Sequence, residues 1–337
     1  MVEFEPKVSR VVLIGGGGMA RDVVELCKSL NFEVFVVTSA RHAKEHDGDC
    51  SFERFLLTFG IQFKVLEIFD NADFIEAIGN KDETLFLSLG APWIFKANTL
   101  SECFNNRLLN LHGTRLPQNR GGASFSWQIL MGNKFGFCQL HYVDAGVDTG
   151  SVVAFEEFLY PSYCRVPLDY ELFYRKKNKI FLAQILKSMK RGNFKPCPQP
   201  QFGYLSTYWP RLDTNTNGWI DWKLDATLLE RFVCAFGSPY GGAKTTINGH
   251  TVSLSDVLLD FSDGIFHPHQ FGLVFRKSRS WLCVAVNGGT LIVQKAHLDD
   301  GESCLDRIKV GDRFFTPASI LQSSLSRVSF DGSGLVS

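Results

Sequence analysis

Residues 11–30 read VVLIGGGGMARDVVELCKSL, and this stretch sets the fold class. Val11, Val12, Leu13 and Ile14 form a continuous apolar run of the kind carried by a strand buried on both faces. Gly15 to Gly18 break the run. Met19, Val23, Leu26 and Leu30 then recur at the spacing of one helix face. Strand, glycine turn and helix in this order open a parallel α/β sheet. Phe32–Val37 reads as a second strand, and Asp82–Ser88 and Arg107–Asn110 read as further strands between helical stretches. The expected fold class is therefore α/β: a Rossmann-like, doubly wound, mostly parallel sheet, followed by a smaller, mainly β, barrel-like domain.

The second half of that expectation comes from further along the chain. Residues 136–143 and 150–156 alternate as strands do, and residues 168–191 carry a long helical pattern with a basic end stopped by Gly192. Residues 195–218 are rich in Pro, Gln, Thr and Asn and read as a linker or extended arm. A helix over ATLLERFVCAF follows, and then hairpins around Asn248-Gly249 and Asn287-Gly288-Gly289. This predicts a catalytic domain over 1–192, an arm over 193–222 and an OB-like β domain over 223–337.

Composition excludes several classes of function. Of 337 residues 45% are hydrophobic, too many for wholesale disorder. Lys and Arg total 35, balanced by 35 Asp and Glu, so phosphate neutralisation alone does not recommend nucleic acid as a partner. The 9 cysteines include no CxxC pair and no His/Cys cluster with zinc spacing, so no metal is expected and the thiols read as reduced and mostly buried. The N-terminal MVEFEPKVSR is too polar for a signal peptide, and no apolar run reaches a membrane span. The expectation is a cytoplasmic chain with no membrane partner.

Two constellations carry chemistry. Gly15, Gly17 and Ala20 satisfy the dinucleotide pattern GxGxx[GA] between strand and helix. The acidic residue expected after the second strand is missing, with Thr38, Ser39 and Arg41 in its place, so the alternatives are an NADP site or a plain tight turn. The second constellation is NLHGTRLPQNRGG at 110–122 together with VDAGVDTG at 143–150. Asn110 and His112 flank Leu111 at the end of a strand and point the same way, toward the edge where parallel sheets bind ligands. Asp148 sits in a glycine-flanked loop. An amide donor for an oxyanion, an imidazole for a proton and a carboxylate to orient it fit acyl transfer to an amine.

Residues 110–150 resemble the signature of the formyltransferases that use N10-formyltetrahydrofolate: Asn-x-His, then LP-x-x-RG, a helix, and an Asp-Thr-Gly loop. The separation of 36 residues from His112 to Asp148 agrees with that family. Gly113-Thr114 departs from the Pro-Ser often found there, and Gly122–Ser124 from Ala-Ala-Pro. Asn217-Gly-Trp-Ile-Asp-Trp222 and residues 231–254 are similar to the stretches that lead into the family's C-terminal barrel, so the resemblance covers roughly 84–296. It implies catalysis by Asn110, His112 and Asp148, with His112 and Asp148 as alternative bases. It implies a folate pocket at Ser88, Leu89, Gly90, Pro92, Trp93, Ile94 and Asp144, Trp93 being otherwise an ordinary core residue. Acceptor contacts would come from Gly113, Thr114, Arg120, Trp209 and Arg211. Arg120 equally fits a brace for the loop, and Trp209, Arg211 and Trp219 equally fit anchors of the arm.

Two acceptor classes compete within the family: a nucleotide-linked amino sugar, as in surface-polysaccharide biosynthesis, and methionyl-tRNA. Residues 221–337 hold 11 Lys+Arg and 12 Asp+Glu, a net of 11 − 12 = −1. A domain that grips a tRNA backbone should be basic, and Pro210-Arg211-Leu212 is similar to the stretch before IDW in the sugar enzymes. The sugar nucleotide is therefore the expected acceptor, methionyl-tRNA the alternative, and an NADP-dependent oxidoreductase a third reading that explains only residues 11–41. A homodimer is an open option for the β-rich half.

Overall fold

The computed structural model describes residues 7–331 and 334–336. Residues 1–6, the start of the polar N-terminal stretch, lie outside them. Seven strands form one sheet: β1 (Arg10–Gly15), β2 (Glu33–Ser39), β3 (Gln62–Leu66), β4 (Thr84–Leu89), β5 (Leu108–His112), β6 (Phe135–Tyr142) and β7 (Val152–Leu159). Their order is β7-β6-β5-β4-β1-β2-β3. The strands from β5 to β3 run parallel, and β6 lies antiparallel between β5 and β7. The chain grows outward from β1 to β3, then returns to place β4 on the other side of β1. That reversal opens a crevice at the carboxyl ends of β1 and β4, where sheets of this type receive ligands.

The apolar run at 11–14 is buried on both faces, as its continuity demands. Val11 and Leu13 face α1 (Gly17–Ser29) and the long α5 (Pro167–Lys190), which contribute Val23, Cys27, Phe181 and Leu182 to one core. Val12 and Ile14 face the opposite core, under α2 (Asn71–Ile78) and α3 (Ala97–Phe104). Phe104 is fully buried at the centre of this second core, its ring 4.9–5.9 Å from those of Phe69, Phe74, Phe86 and Phe95. α5 begins where Pro167 fixes φ and the Asp169 carboxylate accepts from the Arg165 and Val166 amides.

The glycine turn is explained by close packing. Gly15 has φ +127, and a Cβ there would lie 2.1 Å from the Leu89 carbonyl oxygen at the end of β4. A Cβ on Gly16 would strike the His42 ring. This is the tight-turn alternative, drawing β1 against β4 at the switch point.

A separate antiparallel sheet comprises β8 (Ala243–Ile247), β9 (His250–Asp260), β10 (Val274–Lys277), β11 (Leu282–Val286) and β12 (Gly289–Leu298), in the order β8-β9-β12-β11-β10. Both expected hairpin turns are present. Residues 313–315 bridge to Leu273 beside one edge strand and to Thr246 on the other, which closes the sheet into a barrel-like ring. α6 (Ala226–Ala235) lies against it, capped by Asp225, whose carboxylate accepts from the Thr227 and Leu228 amides. All nine cysteines are free, and only Cys197 is exposed.

Of the two alternatives for the segment at 195–218, a linker or an extended arm, the structure has the second. It is an ordered brace: Tyr208–Trp209 pairs parallel with Arg120–Gly121, adding a short second ribbon beside the main sheet. Gly121, at φ +103, is required there, because a Cβ would sit 2.1 Å from the Trp209 carbonyl oxygen. The strand read as 107–110 extends through His112, and that read as 150–156 runs from 152 to 159.

Phe104→Ala removes the ring around which the α2–α3 core packs. It should cost about 3–5 kcal/mol, the usual result for a buried Phe, as a lower urea midpoint with an unchanged m-value.

Candidate active site

The carboxyl end of β5 brings Asn110 and His112 to the sheet edge, as the sequence pattern requires. Antiparallel pairing with β6 then sets His141 directly opposite Asn110 and Gln139 opposite His112. The loop after β6 returns Asp148 to the same point. Its Oδ2 lies 3.8 Å from His112 Nδ1 and its Oδ1 3.6 Å from His141 Nε2. The predicted trio is therefore assembled, with His141 as a fourth member that the sequence reading did not single out.

Hydrogen bonding fixes the imidazole tautomers. His112 Nε2 is 2.8 Å from the Asn119 carbonyl, which can only accept, so in the neutral ring Nδ1 holds the lone pair. Thr114 Oγ1 stands at 2.8 Å from the same nitrogen and donates to the same carbonyl. His141 Nδ1 donates to the Tyr142 carbonyl at 2.7 Å, leaving Nε2 to accept from Asn110 Nδ2 at 3.1 Å. Asn110 keeps a second N–H for a ligand. His112 Nδ1 is thus the free nitrogen of the pair, and a proton taken up there would face the Asp148 carboxylate.

Electrostatics follow from this packing. Burial pushes the His112 pKa down, and the facing Asp148 carboxylate pulls it part of the way back. For Asp148 burial acts upward. His112, His141 and the Gly121 amide, which donates to Oδ2 at 3.0 Å, together outweigh it and hold the carboxyl well below the usual range. At neutral pH the site holds a carboxylate beside a neutral imidazole.

The same three side chains have the spacing of a small cation site, their ligand atoms lying within 4.8 Å of one another. Two of those atoms, His141 Nε2 and Asp148 Oδ2, already accept N–H bonds.

A cavity of about 680 Å³ runs across the sheet edge at this point. On the α2–α3 side it is lined by Gly90, Ala91, Pro92, Trp93, Ile94, Phe95, Val143, Asp144 and Val147. On the α5 side it is lined by Gly113, Gly121–Phe125, Tyr174, Tyr208, Arg211, Leu212, Tyr240 and residues 327–330. Asn110, His112, His141 and Asp148 stand between the two halves. Ser88 lines the cavity, as do all the other expected folate residues except Leu89, which is buried in the core. Trp93 lines the cavity and packs on Phe69 at 5.6 Å.

The expected acceptor residues divide. Gly113 and Arg211 face the cavity. Thr114, Arg120 and Trp209 lie behind its wall around a small pocket. Arg120 donates from Nε and Nη2 to Gln201 Oε1 at 3.1 and 2.8 Å, and Gln201 Nε2 donates to the Asp148 and Gly150 carbonyls at 3.0 and 2.6 Å. Arg120 is thus a brace for the Asp148 loop. Trp209 stacks on Trp127 at 4.9 Å and donates to Asn119 Oδ1, which anchors the arm. None of Gly15–Gly18 lines the cavity. Among the described residues no helix is long and apolar enough to cross a membrane.

Residues 95–159 match the formyl transferase family and residues 214–305 match the formyl transferase C-terminal domain. The resemblance read at 110–150 is borne out: stretches similar to the two formyl transferase families follow one another along the chain. A methionyl-tRNA formyltransferase from Pelobacter propionicus is 29% identical over 197 residues, 56% of this chain and 56% of that protein. The chain spans about half the length of the first curated relatives it matches. Among solved structures, the sugar 3N-formyl transferase WlaRD, in the presence of dTDP and 5-N-formyl-THF, has a TM-score of 0.65 at 20% identity, covering 85% of this chain and 97% of its own. An N-formyltransferase from Helicobacter canadensis, in complex with folinic acid and dTDP-3-aminofucose, also scores 0.65, at 19% identity over 85% and 99% of the two chains. These likenesses establish the fold.

The electrostatic coupling of His112 to Asp148 has a direct test. In a histidine-resolved NMR titration His112 should titrate below the ordinary histidine value of about 6.5. Asp148→Asn should move it lower still, because the carboxylate is what holds the value up. An equal or higher value in the variant would contradict that coupling. Since folding depresses this pKa, the unfolded chain binds more protons, and this contribution to stability is lost as pH falls below about 6.5.

Proposed function

We propose that this protein transfers the formyl group of N10-formyltetrahydrofolate to the amine of a nucleotide-linked amino sugar. The observation that carries the reading is the position of the proton-accepting cluster, midway along a two-sided cavity. A transfer between two large molecules needs the reacting atoms to meet at such a midpoint. The α2–α3 side is mostly apolar and suits a flat pteridine. The α5 side carries arginine and tyrosine and suits an anionic, ring-bearing acceptor.

The residues then take definite roles. The sugar amine attacks the formyl carbon, and a C–N bond forms. Asn110 donates its free N–H to the oxygen that gains negative charge. His112 Nδ1 takes the amine proton, and the adjacent Asp148 carboxylate stabilises the resulting imidazolium. Collapse breaks the bond to the folate nitrogen, which recovers a proton from His112, leaving a formamide and tetrahydrofolate. His141 is a positioning residue, holding the Asn110 amide through its second N–H. Among the two bases left open by the sequence, this favours His112, since Asp148 is too weak a base at its depressed pKa.

Methionyl-tRNA is the second reading, favoured by the curated relatives. The net charge of −1 over residues 221–337 opposes it. A place in surface-polysaccharide synthesis, in the cytoplasm, follows from the sugar reading.

Mass spectrometry of mixtures containing N10-formyltetrahydrofolate, a panel of nucleotide-linked amino sugars and, separately, methionyl-tRNA decides between them. Gain of one formyl group on a sugar is expected, and formylation of the tRNA alone would overturn the assignment. His112→Ala, Asp148→Asn and Asn110→Ala should each lower kcat by about 10²–10⁴, with folate binding retained. Exhaustive dialysis against EDTA should leave turnover unchanged, and dependence on an added divalent cation would restore the metal reading of His112, His141 and Asp148.

A further inference from the structure

The C-terminal segment reaches the active-site cavity. Residues 306–336 lie outside both matched family domains. Yet after α7 (Ala318–Ser323) the chain turns back toward the brace rather than away from the molecule. Asn217 Nδ2 clamps it by donating to the Ser324 and Ser326 carbonyls at 2.7 and 3.0 Å. Residues 327–330 then line the α5 half of the cavity. The short ribbon of Ser329–Asp331 with Gly334–Val336 follows.

This return creates a paired surface. The Arg327 guanidinium lies over the Tyr208 ring, 5.8 Å from its centroid. The Arg211 guanidinium lies over the Phe330 ring at 5.5 Å. Each arginine is laid on the aromatic ring supplied by the other's segment, so the tail and the brace interleave. Stacking holds a guanidinium flat while its N–H edge stays free for a planar anion. Among the described residues neither arginine has an ion-pair or hydrogen-bond partner, whereas Arg10, Arg41, Arg165, Arg175, Arg276 and Arg307 all have carboxylates. Two uncommitted cations beside two aromatic rings, on one side of a reaction cavity, match the charge and shape of a nucleoside diphosphate.

We propose that Arg327 and Arg211 bind the diphosphate of the acceptor, so that the C-terminal segment completes the acceptor half of the site. This deepens the sugar-nucleotide reading and rests on it for the identity of the acceptor. The other anion in the reaction, the glutamate carboxylate of the folate, would belong to the same arginines only if the folate tail crossed to the α5 side.

The test is isothermal titration calorimetry of the full chain at low salt with dTDP, UDP, GDP and, in parallel, tetrahydrofolate. At least one nucleoside diphosphate should bind, with affinity falling as salt rises. Arg327→Ala should weaken that binding by about tenfold or more, the usual loss for one charge-assisted contact. Arg327→Lys should recover part of it, and tetrahydrofolate affinity should not change. Asn217→Ala, which leaves both arginines in place but frees the tail, should move nucleotide affinity in the same direction. The proposal is overturned if no nucleoside diphosphate binds, if Arg327→Ala leaves its affinity intact, or if the loss falls on tetrahydrofolate. Failure of the formyl-transfer reading looks different: the wild-type chain would then transfer no formyl group and bind no tetrahydrofolate, whatever Arg327 does.

Discussion

The buried carboxylate of Asp148 is the constraint around which the site is organised. A charge removed from water must find compensation nearby or it will be neutralised by a proton. Here compensation comes from the Gly121 amide and, whenever they take up a proton, from the two imidazoles on adjacent antiparallel strands. Each of those partners imposes its own demand. Gly121 must let the Trp209 backbone approach, His141 must be registered opposite Asn110, and Asn119 must offer its carbonyl to His112. The loop that carries Asp148 is itself tied by Gln201, which Arg120 holds. Segments far apart in the chain are therefore committed to one oxygen pair. The brace at 193–218, which in sequence looks like a spacer, is indispensable to it.

The sheet topology explains why the commitment happens at this point. Placing β4 on the far side of β1 opens the crevice, and Gly15 lets the two strands close at its base. β5 comes next to β4, so its end projects into the crevice's shoulder. A strand end at a sheet edge has two faces, one under α2 and α3 and one under α5. A cavity that straddles it has two compartments of different character without any further device. Bisubstrate chemistry can exploit that asymmetry directly, since each ligand sees a different wall and both see Asn110 and His112.

Much of this was legible in the sequence wherever local pattern decides structure. The apolar run at 11–14, the helical spacing after it, the hairpins at 248–249 and 287–289, and the 36-residue interval from His112 to Asp148 all depend on residues close in the chain or on a motif of fixed length. His141 was not singled out because its importance comes from strand register: only pairing of β5 with β6 sets it against Asn110. Arg120 could be read either as a phosphate contact or as a brace because a guanidinium suits both, and its partner Gln201 lies 81 residues away. The composition of 195–218 points to a linker or extended arm because proline and polar residues permit no long helix there, but composition says nothing about which surface an extended segment will cover. The return of the tail through Asn217 and Arg327 leaves no periodic signature at all.

This division bears on how relatives with different acceptors come to share a recognisable core. A shared reaction constrains the groups that carry it, and residues 95–159 are a part of this chain that matches the formyl transferase family. The acceptor touches other parts. In this chain the α5 wall of the cavity is drawn from the glycine loop at 121–125, from the brace and from the tail, and of these the brace up to residue 213 and the tail lie outside both matched domains. Sequence similarity therefore reports chiefly on the shared reaction, and a match to methionyl-tRNA enzymes over half their length is weak information about the acceptor. Charge is better information, because a polynucleotide needs a broad basic surface whereas a nucleotide sugar needs only a few cations at one place. Residues 221–337 carry a net charge of −1, and Arg327 within them and Arg211 just before them line the cavity with no ion-pair partner among the described residues.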